Sequence, residues 1–243
     1  MDLNKKLAVK YIEMIEKDSN KNIEKVKKYF PNAYTFIDKK TDTEGFCNII
    51  DKELIVYFRG TEVHEIKDWL TDIRFKQMVY PYNNVSSKIK VHKGFIEAYK
   101  TVRSFVHNFI SMNKGSFDNI VVIGHSLGGA LATLCSIDLQ YNFSSQYKHL
   151  ACYTYGAPKV GNKEFVISYN KRIPDSNRIY LLNDIVPKLP PFSNFSHVKG
   201  YHIGPWFPLL GLLELIKRKF KANCLPADLT NHSTKLYKTY LLK

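Results

Sequence analysis

A chain of 243 residues, 44% apolar and 14% aromatic, has room for one large α/β domain and carries too much apolar content for any long disordered segment. Its 36 Lys and Arg against 22 Asp and Glu leave a formal charge of +14, which draws the surface towards phosphates or anionic lipid head groups. The charges are dispersed, and no zinc-finger, basic-zipper or aromatic RNA-binding pattern accompanies them, so a specific nucleic-acid partner is not expected.

The first residues lead into a segment holding Lys10, Glu13 and Glu16 rather than into an apolar stretch with a cleavage site, so neither a secretion leader nor a transit peptide is expected. No run approaches the roughly 18 apolar residues that span a bilayer, and a soluble, cytoplasmic protein is the expectation. Leu7, Tyr11, Ile12, Met14 and Ile15 mark one helix face, and Ile23, Val26 and Tyr29-Phe30 suggest a second helix ending at Pro31. The runs 33–38, 45–51 and 54–58 read as antiparallel strands. Phe95, Ala98, Tyr99, Val102, Phe105, Val106 and Phe109 then repeat at helical spacing up to Asn113-Lys114-Gly115. A buried strand at 120–123, a helix at 126–139, a strand at 152–155, a helix at 163–169 and a strand at 179–182 follow. This alternation predicts a mostly parallel central sheet with antiparallel N-terminal strands and helices on both faces. No repeat or linker interrupts it, and residues 1–243 are expected to form a single domain. Cys47, Cys135, Cys152 and Cys224 are too scattered for a zinc site or a disulfide scaffold, and three of them read as buried thiols.

The chemistry concentrates at Gly124-His125-Ser126-Leu127-Gly128, where an apolar strand enters a serine and leaves as a helix rich in small residues. This is the pattern of a nucleophile elbow. A serine at such a turn needs small neighbours two positions before and after it, which Gly124 and Gly128 supply. The helix N-terminus that follows sets N–H groups and partial positive charge beside the hydroxyl.

Around this elbow the chain resembles the class 3 lipase family, a branch of the α/β-hydrolase superfamily that includes the fungal triacylglycerol lipases. The resemblance runs from about Leu54 to His232 and is carried by six blocks in the family's order: Val56-Tyr57-Phe58-Arg59-Gly60-Thr61, Asp68-Trp69-Leu70-Thr71-Asp72, Val91-His92-Lys93-Gly94-Phe95, Gly124-His125-Ser126-Leu127-Gly128-Gly129-Ala130, Tyr155-Gly156-Ala157-Pro158-Lys159-Val160-Gly161-Asn162, and Asn183-Asp184-Ile185-Val186-Pro187-Lys188-Leu189-Pro190-Pro191. It implies an α/β-hydrolase fold and hydrolysis of acyl esters of lipids.

A serine hydroxyl needs a histidine to take its proton and a carboxylate to hold that histidine, and in this fold they follow in the order Ser, acid, His. Asp184 stands just past a predicted strand and at the family's acid position, with Asp175 and Asp228 in reserve. His197, His202 and His232 all follow it, and spacing alone does not choose among them. Gly200-Tyr201-His202-Ile203-Gly204 resembles a family block that is usually structural, whereas Asn231-His232-Ser233 followed by Tyr237 looks like the segment carrying the family's base, which favours His232 with His202 next. The other histidines, His92 and His125 included, read as packing or satisfied residues. For the oxyanion, Leu127 offers the N–H after the nucleophile, and Thr61 matches the family's Ser or Thr on the earlier loop. The bland alternatives are turn roles for Asp184 and Thr61.

In the family the stretch after the oxyanion loop is often an apolar lid; here Glu62-Val63-His64-Glu65-Ile66-Lys67-Asp68-Trp69 has few apolar residues, which predicts weak interfacial activation. The apolar run from Trp206 to Ile216, followed by the basic run to Lys221, suits either a segment lying on an anionic membrane or a buried helix with a basic C-terminus. No metal-ligand spacing appears and the chemistry requires no cofactor. The leading expectation is therefore a lipase acting on acylglycerols, with phospholipase A1 as a variant of the same chemistry and a non-catalytic lipase-like interaction protein as the different class.

Overall fold

Leu54, Val56 and Phe58 of one short strand join one apolar cluster, while Ile55 and Tyr57 between them join another. Alternate side chains of a strand point to opposite faces, so this strand is covered on both sides. The structure is a computed structural model that describes residues 3–18, 23–60, 76–80, 88–204 and 230–243. In chain order its elements are α1 (Lys5–Asp18), β1 (Tyr34–Asp38), β2 (Thr43–Ile50), β3 (Glu53–Phe58), β4 (Gln77–Val79), β5 (Lys90–His92), α2 (Lys93–Met112), β6 (Asn119–His125), α3 (Leu127–Phe143), β7 (His149–Tyr155), α4 (Lys163–Arg172), β8 (Asp175–Tyr180), β9 (Gly200–His202) and α5 (Thr234–Leu241).

Seven strands make one sheet in the order β1-β2-β3-β6-β7-β8-β9; β1, β2 and β3 pair antiparallel, and every pairing from β3 onward is parallel. This is the α/β-hydrolase arrangement. Helices α2, α3 and α4 cover one face, where Phe95, Val102, Leu131, Cys135 and Phe165 meet Val56, Val122 and Cys152. Helices α1 and α5 cover the other, where Tyr11, Ile12 and Tyr237 meet Tyr57, Ile123, Tyr153 and Tyr155. Each such fully buried side chain contributes about 1.5–3 kcal/mol relative to an exposed one. Helix α3 is buried all round from Gly128 to Leu139, which accounts for its apolar and small-residue composition.

Cys47, Cys135 and Cys152 are buried free thiols; Cys224 lies outside the described residues. Among the described residues no helix is long and apolar enough to cross a membrane.

Three local expectations are corrected. The second predicted helix is a 3-10 turn over Ile23–Lys28, closed by hydrogen bonds from Tyr29 and Phe30 to the Val26 carbonyl. With Pro31 and β1 so close, the longer α-helical ladder has no room to run. The strand predicted over 179–182 is Asp175–Tyr180. Its first residues are polar yet buried, because the Ser176 hydroxyl pairs with that of Tyr169, Asn177 Nδ2 donates to Asp175, and Arg178 Nε donates to the Val198 carbonyl. Finally, β9 and the β4-β5 pair, each strand only three residues long, have no counterpart among the predicted strands.

Candidate active site

The parallel strands β3, β6, β7 and β8 all end at one edge of the sheet, the edge at which α/β folds assemble their sites. Ser126 stands there between β6 and α3, with φ 56° and ψ −130°, a conformation that L-residues rarely adopt and that costs about 1–3 kcal/mol. Its amide donates to the Tyr155 carbonyl (2.9 Å), and the Gly129 amide donates to its carbonyl (3.0 Å). The elbow closes only on small residues. A Cβ at Gly124 would run into the Gly128 carbonyl, and one at Gly128 would run into the carbonyls of Phe58 and Arg59. Leu127 is the first residue of α3, so its N–H has no acceptor within the helix.

Asp184 follows β8 on the 182–186 turn and is 1% exposed; His232 comes from the 3-10 turn Thr230–His232 just before α5 and is equally buried. His232 Nδ1 lies 2.7 Å from Asp184 Oδ2, and the Tyr237 hydroxyl donates to the same oxygen at 2.7 Å. The Val186 amide donates to Asp184 Oδ1 at 2.9 Å. Because a carboxylate only accepts, His232 Nδ1 is the donor to Asp184, and Nε2 is the nitrogen that Asp184 leaves open. That Nε2 is buried and has no hydrogen-bond partner among the described residues. A ring nitrogen so placed can act as a general base.

Two contacts hold the His232 ring beside the elbow. The ring of His125, the residue before Ser126, lies 4.5 Å from that of His232, and its Nε2 donates to the His232 carbonyl at 2.8 Å. Burial, and then the neighbouring His232, hold His125 well below the usual histidine range, so it stays neutral and supplies this one bond. Gly156, next to the Tyr155 that anchors Ser126, lies under the pair at φ +60°: a Cβ there would sit 2.8 Å from His232 Cε1 and 2.9 Å from Asp184 Oδ2.

The other candidates lie elsewhere. His202 is on edge strand β9 with its ring 5.7 Å from that of Tyr180, and His197 donates to the Pro187 carbonyl. His92 caps α2, its Nδ1 accepting the Phe95 amide at 3.3 Å. Asp175 is at the start of β8, away from the site edge, paired with His149 at 2.7 Å. Asp228 lies outside the described residues, and so do Thr61, the 62–69 stretch and the Trp206–Lys221 stretch. The described chain does reach Gly60, where a Cβ would lie 2.7 Å from the His125 carbonyl and 3.2 Å from Ser126 Cβ, so the residue before Thr61 passes directly against the elbow. The role of Tyr237 escapes sequence reading, which notes it only as part of the late segment; the one signal is its place one helical turn and a half beyond His232 on a short amphipathic run.

A family model described as Lipase (class 3) matches residues 55–194, more than half of the chain. The chain belongs to this family. It is 33% identical over 151 residues to a lipase from Rhizomucor miehei, covering 58% of this chain and 38% of that protein. It is 32% identical over 163 residues to secreted mono- and diacylglycerol lipase 1 from Fusarium solani, covering 66% and 45%. It thus spans less than half the length of either relative. Among solved structures it resembles, with a TM-score of 0.67 and 27% identity over 84% of this chain and 82% of the other, a triacylglycerol lipase described as having a serine protease triad for its catalytic centre.

Proposed function

We propose that this chain hydrolyses carboxylic esters of lipids, acylglycerols first among them, through an acyl-enzyme on Ser126. The observation that carries this reading is the buried His232 ring, held by Asp184 at Nδ1, without a partner at Nε2 among the described residues, and packed against His125, the residue before a serine kept at positive φ. Family membership and the names of the relatives support lipid esters as the substrate class. In this mechanism Ser126 Oγ attacks the acyl carbonyl while His232 Nε2 takes its proton, and the same proton passes to the alcohol as it leaves. Asp184 holds the ring in the tautomer that can do so and stabilises its charged form. The Leu127 N–H and Thr61 bind the oxyanion, each donor worth about 3–4 kcal/mol. Water, deprotonated by the same histidine, then releases the fatty acid.

Hydrolysis of nitrophenyl esters of graded chain length by the wild type and by Ser126→Ala, His232→Ala and His202→Ala tests the assignment. Loss of roughly a thousandfold or more is expected for the first two variants, with His202→Ala close to wild type. Full activity in Ser126→Ala overturns the mechanism, and a dead His202→Ala beside an active His232→Ala overturns the choice of base. Parallel assays on a diacylglycerol and a diacyl phospholipid separate acylglycerol hydrolysis from phospholipase A1 activity. The few apolar residues at 62–69 support weak interfacial activation; a large rate jump at the substrate's solubility limit would contradict it.

A further inference from the structure

At the Asp184 turn lies a cavity of ≈ 320 Å³, lined among others by Lys159, Arg178, Tyr180 and Lys188. Its inner wall is Arg178, only 8% exposed. A buried guanidinium normally faces a carboxylate, because an unpaired charge away from water is costly. Here no acid among the described residues pairs with it. Nε donates to the Val198 carbonyl (3.1 Å) and the guanidinium lies over the Tyr180 ring, 4.2 Å from its centroid. Burial lowers the guanidinium from its usual range, as expected of a cation lacking a counter-ion. The position is built rather than accidental: Gly200 on β9 leaves the guanidinium its place, since a Cβ there would lie 2.7 Å from Arg178 Nε and 2.8 Å from Cζ.

Two further cations share the cavity. Lys159 is tethered by Nζ to the Pro190 carbonyl at 3.0 Å, and Lys188 stands exposed at the rim. The acid in the lining, Asp184, is already engaged by His232, Tyr237 and the Val186 amide. Beside this basic wall, Leu181, Leu182 and Pro187 give an apolar one. Arg178 and two lysines facing no available acid call for an oxyanion, for which a planar guanidinium is the best matched donor; the apolar wall calls for a short hydrocarbon tail.

We infer that this cavity binds a single-chain amphiphile with an oxyanion head, a carboxylate or a phosphate monoester, the head between Arg178 and Lys159 and the tail along Leu181, Leu182 and Pro187. The cavity borders the proposed triad at Asp184, but binding there does not depend on the proposed hydrolysis. Calorimetric titration below the micelle concentration, with octanoate, octyl phosphate, octan-1-ol and inorganic phosphate as probes, tests it on the wild type, Arg178→Gln, the double variant Lys159→Gln/Lys188→Gln, and Ser126→Ala. Octanoate or octyl phosphate should bind one per chain, about tenfold or more tighter than octan-1-ol, and the stronger of the two names the head group. Arg178→Gln and the lysine pair should each weaken the anions about tenfold, and Ser126→Ala should leave them unchanged. The lysine pair keeps the test valid if Arg178→Gln fails to fold. Equal binding of the anions to wild type and the lysine variant, octan-1-ol binding as tightly as octanoate, no binding at all, or loss of binding in Ser126→Ala alone would each overturn the site. Inorganic phosphate binding as tightly as octyl phosphate would overturn the role given to the apolar wall.

Discussion

The Tyr237 hydroxyl and His232 Nδ1 meet on one oxygen of Asp184, each at 2.7 Å. Burial first, and then Asp184, push the Tyr237 hydroxyl well above the usual tyrosine range, so it remains a donor at every pH the protein meets. It adds a second hydrogen bond to the carboxylate that orients the histidine. Tyr237→Phe removes that bond without opening space, and a hydrogen bond to a charged group is worth about 1.5–3 kcal/mol. We expect kcat on a soluble ester to fall about tenfold or more with KM little changed. A variant that loses stability but keeps its turnover number would show that the hydroxyl only holds α5 in place.

Gly156→Ala should damage activity far more than its size suggests. The added methyl would press on His232 and Asp184, and the φ of +60° adds about 1–2 kcal/mol of backbone strain. Turnover is expected to drop about a hundredfold or more. Gly115→Ala is the matched control: its φ is +84° but nothing lies within 4 Å of the new methyl, so it should lose about 1 kcal/mol of stability and none of the activity. Equal turnover in the two variants contradicts the steric argument.

His92 sets a pH dependence of stability. Burial lowers it to about 4 from its ordinary 6.5, so the folded protein keeps the ring neutral while the unfolded chain protonates it below pH 6.5. Between pH 6.5 and about 4 the unfolded state holds more protons, and stability declines through that window by up to about 3 kcal/mol as the pH falls. His92→Asn keeps a side chain able to cap α2 but does not titrate. Urea midpoints at pH 7 and pH 4.5 should show a smaller acid loss in the variant; an unchanged difference between the two pH values assigns the effect to other groups.

Asp138 is fully buried and accepts from Tyr99 (2.5 Å), Arg103 (3.1 Å), Asn142 (2.8 Å) and His107 (2.6 Å), joining α2 to α3. Asp138→Ala strands these donors and should destabilise the fold by about 3–5 kcal/mol, read from denaturant unfolding, with normal activity per folded molecule. A loss below about 1 kcal/mol would mean that water satisfies them.

Sequence reading reached the fold because its core strands and helices carry clean periods: α2 keeps its apolar face from Phe95 to Ile110, and β6 holds the unbroken apolar run from Ile120 to Ile123. It missed the start of β8, where Ser176, Asn177 and Arg178 disguise an interior strand, and it missed β9, whose three residues are too few for a pattern. At the site, Ser126 and Asp184 are legible because local chemistry marks them, a glycine-flanked elbow and the turn after a strand. The histidine is not marked locally. Its position against Asp184 depends on how the chain returns from β9 to α5, a long-range closure that no spacing between His197, His202 and His232 encodes.

Tyr155 joins the two ends of the chain to its middle. Its carbonyl holds the Ser126 amide, while its hydroxyl donates to the Ala8 carbonyl of α1, the helix that covers its face of the sheet (2.5 Å). Helix α1 in turn receives α5 through Lys238, which bridges Glu13 and Glu16. The stretch 55–194 that carries the family likeness therefore has its rear wall made by residues on either side of it. Cut out alone, it would bare Tyr153, Tyr155 and Ile123 to water and leave Asp184 without either of its ring partners. The stretch that carries the likeness and the residues that wall its core are two different lengths of chain.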